Sequence, residues 1–122
     1  MAVMGYARAV GTIQSVDQQV AALEAAGVDR MFVDRLRAGR DGFPALTECL
    51  LQLERGDVFT VTAIESLPRG VPALVDVVRR VRERGADFRE LSGRYDTTTA
   101  NGRAFFQWID AIDRRLGQHP SS

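Results

Sequence analysis

The chain has 122 residues, 45% hydrophobic and 26% charged, a size and balance that fit one globular domain and exclude a disordered chain. Its 16 basic side chains, all arginine, are matched by 16 acidic ones, whereas an autonomous DNA-binding module carries excess cations to neutralise phosphates. No apolar run approaches the roughly 20 residues that cross a bilayer, and a single cysteine, Cys49, rules out an intramolecular disulfide and points to a reducing, cytoplasmic setting.

Taken in chain order, Val3 to Ala7 is a short apolar run that reads as a strand and lacks the pattern of a secretion signal. Val16 to Ala26 follows helical spacing, with Val20, Leu23 and Ala26 on one face and Gly27 as the stop. Ser15 is a candidate N-cap, and Gln18 three residues on completes a capping box. Arg30 to Asp34 is a second strand. The Arg- and Gly-rich segment Arg35 to Phe43 has no period and predicts a mobile loop. Pro44 suits a helix start, and Leu46, Leu50 and Leu53 form a stripe ending near Gly56. Asp57 to Ile64, β-branched and aromatic, is the strongest strand. A helix with Leu74, Val75, Val78 and Val81 inward runs to Gly85, Asp87 to Leu91 is a fourth strand, and a last helix spans about Asn101 to Leu116. This alternation predicts one three-layer α/β domain over residues 1–116, with a mainly parallel sheet of four to five strands flanked by helices. Residues 117–122 are expected to form a flexible tail.

Several reactive residue types have structural readings. Cys49 lies beside the leucine stripe and is expected to be a core thiol. His119 is the only histidine and sits in the tail, which argues against a histidine-based metal or acid–base site. No metal and no cofactor are expected. Arg79, Arg80, Arg82 and Arg84 cluster on one helix, but Asp76, Glu83 and Asp87 nearby predict a solvated, paired face.

The order of short motifs carries a resemblance. Gly5-Tyr6-Ala7-Arg8, then Gln14-Ser15-Val16-Asp17-Gln18-Gln19, resembles the opening of the resolvase/invertase family of serine recombinases. In register with it follow Ala21 to Gly27, Phe32 and Asp34, Glu54-Arg55-Gly56-Asp57, Glu83-Arg84-Gly85, and Asp96-Thr97-Thr98-Thr99-Ala100-Asn101-Gly102-Arg103. The resemblance implies a resolvase-catalytic-domain-like fold and chemistry on DNA, in which a serine attacks a phosphodiester amid several arginines and a carboxylate. A hydroxyl needs activation, and guanidinium forks match the charge that builds on the phosphate oxygens.

Position by position, the resemblance places Val10 where the nucleophile belongs. Phe43 and Ser66 stand at arginine positions, Ala63 at a lysine and Glu65 at an aspartate, while Arg8, Gln19 and Arg69 are retained. Without the serine the covalent mechanism is expected to fail. Thr12, Ser15 and Ser66 are nearby hydroxyls, but a near-attack geometry tolerates only about 1 Å of error, and they read as caps or turn residues. The retained Arg8, Gln19 and Arg69 either form a vestigial phosphate pocket or pack by their stems and pair with Glu65 or Asp34. The family continues into a helix-turn-helix that reads DNA; here Gly117 and Pro120 break the last helix, and DNA binding is expected to be weak or absent. Two readings follow: a catalytically inactive, dimerising protein-interaction or regulatory module, or a site-specific DNA recombinase or an accessory subunit to an intact one.

The last helix points to the first reading. Phe105, Trp108, Ile109, Ile112 and Leu116 make one continuous apolar stripe, with Phe106 just beside it. A terminal helix in so small a domain buries only part of such a surface, so the stripe is the expected homodimer interface or a site for another protein, with no membrane contact. The resemblance implies the same, since the corresponding helix forms the recombinase dimer.

Overall fold

The computed structural model describes residues 1–9, 15–35 and 42–117. Its elements are β1 (Val3–Arg8), α1 (Val16–Ala25), β2 (Arg30–Asp34), α2 (Pro44–Gln52), β3 (Val58–Val61), a short 3-10 helix (Ile64–Ser66), α3 (Val71–Glu83), β4 (Asp87–Glu90) and α4 (Ala104–Gly117). The strands form one parallel sheet in the order β2-β1-β3-β4. Side chains alternate across a strand, so Met4, Tyr6, Phe59, Val61 and Phe88 share one face. They are buried with Leu46 and Leu50 of α2, Val75, Val78 and Val81 of α3, and Phe105, Phe106 and Ile109 of α4. The opposite face meets α1 over β1 and β2. There a Cβ on Gly5 would meet the Val28 methyls at 3.1 and 3.2 Å, tighter than ordinary packing. The domain is thus a single three-layer α/β unit, with one helix on one face and three on the other.

Local chemistry explains most boundaries. The Ser15 hydroxyl accepts from the Gln18 amide at 3.1 Å, and the Gln18 side chain accepts from the Ser15 amide at 3.1 Å, completing the capping box. The buried face of α1 centres on Gln19 and Leu23; Ala26 is exposed as the C-cap rather than inward. Cys49 is fully buried beside the leucine stripe, where desolvation raises its thiol pKa to about 12 and suppresses the reactive thiolate. β3 ends at Val61, not Ile64, because the chain turns into the 3-10 helix. In α3, Val77 joins the buried face and Leu74 is only partly covered. α4 starts at Ala104 rather than Asn101, since residues 101–103 belong to the preceding turn. Most of the predicted loop (residues 36–41) and the tail with His119 and Pro120 lie outside the described residues. Among the described residues, no helix is long and apolar enough to cross a membrane.

The arginine cluster on α3 is largely paired. Arg79 donates to Asp76 at 2.9 Å and to Glu83 at 2.7 Å. Arg82 instead reaches α4, where it pairs with Asp110 and lies over the Phe106 ring at 5.6 Å. Asp87 takes no part in these ion pairs among the described residues and accepts from the Thr97 hydroxyl at 2.9 Å.

Candidate functional site

In a parallel sheet, loops at the carboxyl ends of the strands gather the side chains that meet a ligand. Here β1 ends at Arg8 and β3 leads into the 3-10 helix carrying Glu65 and Ser66. Gln19 is completely buried on α1 and clasps the end of β1: its Oε1 accepts from the Arg8 amide at 3.1 Å and its Nε2 donates to the Arg8 carbonyl at 2.7 Å. That bond pair extends the strand by one side chain and fixes where Arg8 departs.

The Arg8 guanidinium turns inward onto the chain. Its Nε donates to the Ser66 carbonyl at 2.9 Å, and its Nη2 donates to the carbonyls of Leu67 at 2.8 Å and Glu65 at 3.5 Å. The Phe43 ring lies beneath it at 5.3 Å from the guanidinium carbon. Two positions where the resemblance expects arginines therefore serve Arg8, one as a ring and one as a carbonyl. The Ser66 hydroxyl is buried 3.2 Å from that of Thr62. Arg69 is exposed and makes no hydrogen bond or ion pair among the described residues. Val10 and Thr12 lie outside the described residues.

The Arg8 head group pairs with neither the Glu65 nor the Asp34 carboxylate, the pairing named in one of the two alternatives; both carboxylates have other partners. Asp34 accepts from the Tyr6 hydroxyl at 2.7 Å and from the amides of Ala45 and Leu46 at 2.9 and 3.1 Å. It therefore caps α2 from the end of β2, because Phe43 at the N-cap offers no side-chain acceptor. Burial, the Asp34 hydrogen bond and its charge all raise the Tyr6 pKa. Glu65 accepts from Arg94 at 3.0 Å. Arg94 also grips the buried Glu90, through Nε at 2.9 Å and Nη2 at 2.7 Å. Glu90 in turn accepts from the Ile64 amide at 2.7 Å, so β4 holds the 3-10 turn in place.

Burial opposes ionisation of Glu90, but hydrogen bonds from Arg94, Ser92 and the Ile64 amide outweigh it and lower its pKa. A lowered native pKa adds stability above the ordinary glutamate value of 4.5 and loses it as pH falls through the native value. Thermal melts between about pH 6 and pH 3 are therefore expected to show a smaller acid loss in Glu90→Gln than in the wild type. Equal slopes would mean that Glu90 does not carry this linkage.

The Asp96–Arg103 motif is structural. Thr97 Oγ1 accepts from the Phe88 amide at 2.8 Å and donates to Asp87. Thr99 Oγ1 donates to the Asp96 carbonyl and accepts from the Gly102 amide, both at 2.9 Å. A Cβ on Gly102 would overlap the Asp96 carbonyl outright and stand 2.8 Å from Thr99 Oγ1. In α4 the apolar stripe divides: Phe105 and Ile109 are buried in this chain's own core, Ile112 and Leu116 are half-buried, and Trp108 is 54% exposed. No sequence signal marks Arg94 or Glu90. They lie far from Glu65 along the chain and belong to no motif that would have marked them.

The family model for the resolvase N-terminal domain matches residues 3–116. The chain belongs to this family of serine recombinase domains. It is 36% identical over 109 residues to the serine recombinase gin of Escherichia phage Mu, covering 89% of this chain and 56% of that protein. It is 37% identical over 112 residues to the DNA-invertase hin of Salmonella typhimurium, covering 92% and 59% respectively. The resolvase-family chain thus spans little more than half the length of these relatives. Among solved structures it is similar to the N-terminal catalytic domain of TP901-1 integrase, with a TM-score of 0.75, 25% identity, and coverage of 97% and 98%. A resolvase family site-specific recombinase from Streptococcus pneumoniae shares the fold at a TM-score of 0.69 and 11% identity, over 95% of this chain and 87% of that one.

Proposed function

We propose that this resolvase-family domain is catalytically inactive and works by associating with a second copy or another protein. The observation that carries the reading is the anchoring of Arg8 Nε and Nη2 on the carbonyls of residues 65–67, with the Phe43 ring against one face of the guanidinium. A guanidinium whose Nε and Nη2 are directed to backbone carbonyls keeps only Nη1 for a ligand and cannot offer a phosphate the two-nitrogen fork. Each such cation supplies about 3 kcal/mol of transition-state stabilisation in an active site, and Val10 offers no nucleophile. The relatives' names describe recombinases and DNA-invertases, and their chemistry needs a hydroxyl that this position lacks. Incubated with supercoiled plasmid, the protein is expected to give no covalent adduct by denaturing gel and mass spectrometry. Val10→Ser alone is expected to fail as well, because Phe43 and Ser66 still stand at arginine positions and Arg8 stays turned onto the carbonyls of residues 65–67. An adduct on Thr12, Ser15 or Ser66 would overturn the reading.

The association surface in this proposal is the open flank of α4, centred on Trp108 and continued by Ile112 and Leu116. Phe105 and Ile109 support it from the core rather than contacting a partner. An exposed tryptophan beside half-covered aliphatics is the usual composition of an interface anchor. Light scattering at micromolar concentration is expected to detect a dimer, weakened about tenfold or more in Trp108→Ala. Because Trp108 is exposed, that variant retains the core. A wild type that stays monomeric would remove α4 as the self-association surface.

A further inference from the structure

We propose that Arg94 is an anion-gated latch on the turn after β3: a phosphate-bearing ligand takes the outer edge of its guanidinium and displaces Glu65, while Glu90 keeps the inner edge. The two carboxylates hold Arg94 unequally. Glu90 has a fully buried side chain and engages both Nε and Nη2, at 2.9 and 2.7 Å. It is itself fixed by the Ile64 amide and by Ser92. Glu65 is 47% exposed and meets only Nη2, at 3.0 and 3.5 Å. Nη1 has no partner among the described residues, and the Arg94 side chain is 51% exposed.

An exposed ion pair is weak and screened by salt, so the outer contact is the one an incoming anion replaces. A phosphate group presents oxygens to both Nη1 and Nη2 in the fork that guanidinium binds best. The Tyr95 ring at 5.7 Å covers one face of the guanidinium and leaves that edge as the approach. Displacement frees the Glu65 side chain from Arg94 while Glu90 still holds the Ile64 amide, so the turn loosens without leaving its seat.

The latch is tested by NMR titration with inorganic pyrophosphate at low salt, following the Arg94 Nε–H and Ile64 amide signals. Saturable shifts are expected in the wild type, about tenfold tighter binding in Glu65→Gln, where the competing charge is gone, and no response in Arg94→Ala. A second arm with a short DNA duplex separates a free phosphate from a phosphodiester backbone; a response to either supports the shared chemistry. Equal affinities in the wild type and Glu65→Gln overturn the proposal, as does a response that survives in Arg94→Ala. The Glu65→Gln comparison is decisive even if Arg94→Ala loses its fold, because Glu65 is exposed.

Discussion

Gly102→Ala is expected to lower stability by about 4 kcal/mol or more, a large part of what a domain of this size possesses. The cause is steric and involves backbone. The added Cβ would occupy the position of the Asp96 carbonyl, which is held in place by the Thr99 hydroxyl at 2.9 Å. Residue 96 also bridges to Arg89 at the edge of the sheet, so the turn cannot open without disturbing β4 and the seating of α4. Urea unfolding followed by circular dichroism measures the effect. Asn101→Ala, an exposed neighbour, serves as the control and is expected to stay within about 0.5 kcal/mol of the wild type. A Gly102→Ala loss below about 1 kcal/mol would show that the turn has a relaxed alternative.

The second large effect belongs to Asp34. Asp34→Ala is expected to cost about 3–5 kcal/mol, since it leaves the buried Tyr6 hydroxyl and two α2 amides without an acceptor. Asp34→Asn keeps the shape and one carbonyl oxygen, so its loss falls between wild type and alanine. Tyr6→Phe removes a single donor and is expected to cost about 1–2 kcal/mol. In the double variant Tyr6→Phe with Asp34→Ala, the losses are expected to be less than additive, because the second change removes a group the first had already orphaned. Strict additivity would separate Asp34 from Tyr6 and assign its whole contribution to the α2 amides.

These two residues show what a motif means physically. Gly102 and Asp34 both sit in segments that carry the family resemblance, and both act by organising backbone. Glu65 and Arg8 also keep their places in the motif order, yet their partners differ from those a sequence comparison suggests. Arg8 was legible as a retained cation, but its three acceptors are carbonyls of residues 65–67, more than fifty positions away, and every residue has a carbonyl. Arg94 was not legible at all. Its role depends on a turn after β4 folding back to the turn after β3, an encounter that the parallel register of these strands creates.

By itself the sequence determined the layered α/β architecture, because strand and helix periodicities are local and each element must bury its own apolar face. It determined the capping box at Ser15, the glycine stops, the core position of Cys49 and the family. Which charged groups pair, which face of α4 remains open, and whether Arg8 faces a ligand or its own backbone were decided only by the tertiary structure. The physical reason is range. Periodicity and capping are set within a few residues, whereas an ion pair or a guanidinium anchored on distant carbonyls depends on the angstrom-scale meeting of distant segments, and the surrounding packing chooses among partners of equal chemistry.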